Sequence, residues 1–199
     1  MARIALIALG LGIAAGQFLF PGSLRWAFSS AADALLLLLM FSVGVSVGMN
    51  EAIFKKIREY RPSILLIPAG VTAGSLLGGW LCGLLLSMKT ADSLAIGAAM
   101  GWYSLSGVMI EAVSGAEAGT IAFLSSLLRE LLAFLAIPAL VKYLNAYCAI
   151  AAAGATSEDT TLPMLIRCGG EEYIIISVIN GVLCSAAVPI LINLIYSFF

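Results

Sequence analysis

Apolar runs follow one another along almost the whole chain, each about as long as the roughly 20 residues a membrane-spanning helix needs, with almost no polar sequence between them. They occupy residues 4–20, 31–48, 63–87, a stretch from 94, 120–141 and 173–199. Water cannot solvate so much contiguous apolar surface, so lipid is the expected solvent. In lipid every backbone polar group must be satisfied internally, which leaves helices as the spanning element. Composition agrees. Hydrophobic residues make up 62% of the 199 and charged residues 11%, where a soluble domain has about 45–50% and about 25%. A soluble enzyme, a disordered chain and, with a net charge of −1, a nucleic-acid binder are excluded. The expectation is an all-α polytopic integral membrane protein forming a single transmembrane domain over residues 1–199. The run at 4–20, after Arg3, reads as a first span rather than a signal peptide.

The long polar stretch at 50–62 carries Lys55, Lys56, Arg58 and Arg61. Cytoplasmic loops collect such residues, so this loop is expected inside. The segment 148–166 decides the rest. Read as a span with a polar centre, it places Arg167 inside and gives about seven crossings, with the N-terminus cytoplasmic and the C-terminus outside. Lys89 and Lys142 then fall outside. A re-entrant path is the alternative.

Histidine is absent, so proton chemistry near neutral pH would fall to carboxylates. Cys82, Cys148, Cys168 and Cys184 form no metal-ligating pattern and read as packing residues. Three segments carry chemistry. Arg129-Glu130 lies about ten residues from either end of its run, roughly 15 Å deep. Charges at that depth face a protein interior or a water-filled cavity and mark transport paths. Adjacent helical residues point about 100° apart, so the two do not mainly pair with each other. The second segment is Gly154-Ala155-Thr156-Ser157-Glu158-Asp159-Thr160-Thr161-Leu162-Pro163. Such a polar series suits the discontinuous helix of a secondary transporter, with free backbone groups at the bilayer centre. A plain surface loop is the competing reading. The third is Gly101-Trp102-Tyr103-Ser104-Leu105-Ser106-Gly107, where Tyr103, Ser104 and Ser106 offer hydroxyls to a polar substrate, or alternatively anchor and pack a helix.

These segments together resemble the lysine exporter family LysO in order and spacing. The shared features are Gly101–Gly107, Leu128-Arg129-Glu130-Leu131-Leu132 with Ile137-Pro138, and Gly154 to Ser157 with Asp159, Leu162, Pro163 and Gly169-Gly170. Phe41-Ser42-Val43-Gly44-Val45 is similar too. The resemblance implies a plasma-membrane carrier of a bacterium or archaeon that exports L-lysine and thialysine. Glu130 is similar to an intramembrane acidic residue needed for export, and Asp159 to one that affects transport. Members are longer by about three N-terminal spans, which implies a split exporter: a short partner membrane protein supplies those spans, with a homodimer as the alternative. A ten-span assembly would divide into a five-plus-five inverted-repeat fold, with the first span here as the counterpart of the broken 148–166 segment.

The residues themselves fit a cation that carries a carboxylate. Glu130 and Asp159, with Glu158 nearby, suit ammonium groups. Arg129 or a helix N-terminus suits the carboxylate, and Thr156 and Ser157 suit polar contacts. Proton-coupled export by antiport follows as an inference. A cation/proton antiporter, another small-solute carrier and a non-transporting accessory subunit are the alternatives. No enzymatic activity and no cofactor are expected.

Overall fold

The computed structural model describes residues 62–199 and the isolated helical positions Leu11, Ala15, Leu38, Phe41, Val45 and Met49. The expected spans at 4–20 and 31–48 and most of the polar loop at 50–62 lie outside the described residues. From Pro62 onward a short 3-10 turn leads into seven helices: α1 (Leu66–Leu86), α2 (Thr90–Ala98), α3 (Tyr103–Ser114), α4 (Ala116–Tyr143), α5 (Ala146–Ala153), α6 (Leu162–Gly169) and α7 (Ile174–Phe198). Among the described residues three stretches are long and apolar enough to cross a membrane: Leu66–Leu86, Ala116–Tyr143 and Glu171–Phe198. All three were expected, with bounds shifted by a few residues.

The other two segments fold back on themselves, where the sequence reading expected each to run as one span. Laid end to end, α2 and α3 would hold Asp92 and Ser114 about 33 Å apart at 1.5 Å per residue. Instead the Ser114 hydroxyl donates to the Asp92 carboxylate. The stretch from 94 therefore turns back on itself as hairpin 1, residues 90–114. In the same way a Cβ built on Gly169 would lie 3.3 Å from the Ala146 Cβ, and the rings of Tyr147 and Tyr173 meet edge to face at 5.4 Å. Residues 146–169 fold back as hairpin 2, the geometry of the re-entrant alternative rather than of one interrupted helix. Hairpin 1 starts where α1 ends and α4 begins. Hairpin 2 starts at the other end of α4. A helix followed by a hairpin thus occurs twice, in opposite directions, and α7 completes the group. Lys142 and Arg167 consequently lie at one end, with Lys89 at the other.

Local chemistry explains the turns. Gly101 (φ +100°) and Gly154 (φ +62°) take left-handed backbone at the two tips, where a Cβ is costly. Asn145 caps α5 by accepting from the Cys148 amide at 2.8 Å, and Pro163 starts α6, where its missing N–H costs nothing.

Packing of the first half relies on small residues. A Cβ at Gly97 would stand 2.5 Å from the Ser75 carbonyl oxygen and 3.1 Å from the Gly79 Cα. α1 and α2 therefore touch backbone to backbone, as helices in lipid prefer. Gly107 and Gly119 do the same for α3 and α4. The second half has a branched aliphatic core of Ile64, Ile137, Ile150, Leu165, Ile176 and Ile179, which fixes hairpin 2 against α1, α4 and α7. Leu128, Leu131, Leu132 and Leu135 form an outward stripe on α4, and Leu85 on α1 is 84% exposed, surfaces suited to lipid.

Two measurements test this arrangement. Cysteines at Ala146 and Gly169 are expected to cross-link under mild oxidation, since disulfides need Cβ atoms about 3.5–4.5 Å apart; a segment that crossed the membrane would leave them uncoupled. Gly97→Leu is expected to lower thermal stability in detergent, by about 1–3 kcal/mol of overpacking, while Gly78→Leu, with open space in front of it, leaves it nearly unchanged.

Candidate functional site

The two hairpin tips meet. The Ala155 amide donates to the Met100 carbonyl at 3.1 Å, and a Cβ on Gly101 would lie 3.4 Å from the Thr156 methyl. The meeting point lies beside the middle of α4, where Arg129 and Glu130 are the fourteenth and fifteenth of its 28 residues. Backbone that has left the helix needs other partners, and tip 2 finds them in itself and in α7. Thr156 Oγ1 donates to the Ala153 carbonyl at 2.9 Å, and Thr161 Oγ1 to the Thr156 carbonyl at 2.8 Å. The Ser157 hydroxyl lies 2.8 Å from the carbonyls of both Gly154 and Ser177. Asn180 of α7 donates to the Gly154 carbonyl and to Ser157 Oγ, each at 3.0 Å. Glu158 accepts from Ser185 of α7 at 2.8 Å, over Gly181, where a Cβ would fall 2.6 Å from the Glu158 amide nitrogen.

Glu130 is 8% exposed, and among the described residues its Oε2 has no hydrogen-bond partner. Its polar neighbours are Thr160 and Asp159 of tip 2. Tyr103, edge to face with Phe123 at 5.4 Å, lies within electrostatic reach of both carboxylates. Asp159 is exposed and accepts from the amide and hydroxyl of Thr160. Glu130, Asp159, Thr160 and Tyr103 thus lie near one another, with Glu130 buried and Asp159 exposed. A buried carboxylate oxygen without a donor calls for a proton, a water or a cation. Arg129 points elsewhere. Its Nη1 donates to Ser75 of α1 at 2.8 Å, and its Nη2 lies against Gly154. The divergence expected of helical neighbours is therefore present.

The other expected site residues serve differently. Thr156 and Ser157 are buried and hold the tip in shape. Glu158 is tied to α7. Ser106 is fully buried and donates to the Trp102 carbonyl at 2.8 Å, and Ser104 is exposed. Asn180, Ser185 and Ser75 were missed. Asn180 carried a signal, a lone amide within the apolar run from 174 to 192. The two serines did not, because serine is common in packed spans.

A model of the lysine exporter LysO family matches residues 6–196 of the chain. The protein called lysine exporter LysO in Escherichia coli K12 is 35% identical over 164 residues, which are 82% of this chain and 54% of that protein. A putative lysine exporter of Haemophilus influenzae is 34% identical over 164 residues, 82% of this chain and 83% of that one. The chain thus spans about half the length of the Escherichia coli relative. No solved structure matches it.

Removing the amide from the tip should be costly. Asn180→Leu leaves the Gly154 carbonyl and Ser157 short of a donor, and a loss of about 1–3 kcal/mol is expected, read as a lowered melting temperature in detergent. Ser104→Ala is expected to leave it within error.

Proposed function

The chain belongs to the lysine exporter LysO family, and from that premise we propose that it is the membrane carrier of an exporter for L-lysine and like-charged analogues such as thialysine. The observation that carries this reading is the unpartnered oxygen of Glu130 beside the contact of two opposed hairpin tips. Discontinuous helices that meet at the bilayer centre give a carrier its substrate site. A carboxylate kept there despite its cost suits a cation. Glu130 receives one ammonium group, and Asp159, which is exposed, receives the other or guides it in. Export against a gradient needs a driving ion. Glu130 alternating between a proton and the substrate ammonium supplies antiport without histidine.

Orientation follows from charge. Lys55, Lys56, Arg58 and Arg61 precede α1, and Lys142 and Arg167 lie at the same end of the helices, against Lys89 at the other. The positive-inside rule then puts the mouth of hairpin 2 in the cytoplasm, the mouth of hairpin 1 outside and the C-terminus outside. In a bacterial or archaeal plasma membrane the carrier works with a second membrane chain, a short partner completing the longer family plan or a second copy. The helix-and-hairpin pairs would then be part of a larger inverted arrangement.

Glu130→Gln is expected to abolish lysine export, measured as loss of thialysine resistance and of labelled lysine efflux, with the protein still present in the membrane. Asp159→Asn is expected to retain part of the rate. Wild-type efflux from Glu130→Gln cells would overturn the reading. Co-purification from native membranes tells the short partner from the homodimer.

A further inference from the structure

A groove of about 590 Å³ runs between α1 and α5, and neither Glu130 nor Asp159 lines it. Ile67, Gly70 and Gly74 form one wall, Cys148 and Ala151 the other, and Ser75 and Arg129 lie at its inner end. The glycines leave open space in front of α1. The guanidinium is partly buried, donates to the Ser75 hydroxyl at 2.8 Å and lies beside Gly154. Among the described residues no carboxylate forms an ion pair with it, and its remaining donors are available for an anion. An arginine fork fits a carboxylate with two parallel hydrogen bonds. Depth narrows the choice of anion. Arg129 stands at the middle of α4, and a phospholipid headgroup at the surface of a bilayer core about 30 Å thick would be roughly 15 Å away. The apolar walls suit a methylene stem.

We propose that this groove is a carboxylate-binding site in which Arg129 holds the α-carboxylate of the amino acid on the cytoplasmic side of the hairpin contact. The inference rests on the export reading above and adds to it a second, separate point of recognition. Because Arg129 and Glu130 point about 100° apart on one helix, the two ends of a zwitterionic cation are sorted onto different faces of α4. The groove runs from Leu66 and Tyr147, at the end of the helices assigned to the cytoplasm, to Arg129 at its inner end, where the guanidinium lies beside Gly154 of the second tip. A molecule with the ammonium groups but no carboxylate would pass the second point and miss the first.

Cadaverine, which is lysine without its carboxylate, makes the test. Inside-out membrane vesicles carrying the wild-type chain are expected to take up lysine in preference to cadaverine. Arg129→Gln should lose that preference on the order of tenfold, the worth of a charge-assisted hydrogen bond, through the KM for lysine. Arg129→Lys should restore part of it. In wild-type vesicles lysine, and not cadaverine, should slow maleimide labelling of Cys148, located by peptide mass spectrometry. This second readout stands even if the variants fail to insert. An unchanged preference in inserted Arg129→Gln, or Cys148 labelling indifferent to lysine, would overturn the groove while leaving lysine export intact. Wild-type vesicles that take up no lysine would overturn the export reading and this inference with it.

Discussion

The hydrogen bond from the Ala155 amide to the Met100 carbonyl joins the two places where the chain gives up its helix. Each tip frees backbone groups in surroundings where a free group costs several kcal/mol, and each hairpin supplies part of the remedy for the other. The rest of the frame is arranged around that contact. α4 passes beside it with its two charges, α7 sends in Asn180 and Ser185, and the glycine faces of α1 and α2 bring hairpin 1 close enough to reach it. The polar cluster around tip 2 is accordingly a structural necessity before it is a binding site. Thr156, Ser157 and Thr161 hold the tip, and the carboxylates of Glu130 and Asp159 are left out of that bracing.

Much of this was legible in the residues. The long helices followed from run length alone. The depth of Arg129 and Glu130 followed from counting turns, and the polar series from Thr156 to Thr161 could not be lipid-facing helix. The direction of the two short segments was not legible. Hydropathy reports whether a stretch is buried, and a hairpin of 24 or 25 residues has the apolar content of one span. Only the glycines at the tips hint at the turn, and glycine is ordinary in membrane helices. Charge counting misled as well. It favoured a crossing at 148–166 because Lys142 was assigned by alternating spans, and once both segments turn back, Lys142 and Arg167 fall together and the count improves.

The candidate site shows the same division. Glu130 was conspicuous because a charge in an apolar run has few explanations. Ser106 and Ser157 were noticed for their hydroxyls, but a hydroxyl in a helix or tight turn is often spent on a nearby carbonyl, as both of these are. Ser75, which braces Arg129 from another helix, could not be found from sequence because it becomes significant only through a contact 54 positions away.

The centre of the contact between α1 and α2 is made by Gly79, Gly97 and main-chain oxygen, with the Ser93 side chain packed on Gly83 at one end. At that centre there is no side chain to swing aside, so it cannot take up slack by a change of rotamer. The grip of hairpin 2 on α7 is of the other kind, made by an amide and hydroxyls that can trade partners one at a time. The two hairpins are therefore held by different means. Hairpin 1 meets α1 through main chain, and the tip of hairpin 2 is held by hydrogen bonds that can be exchanged singly, above an aliphatic core that fixes the rest of it.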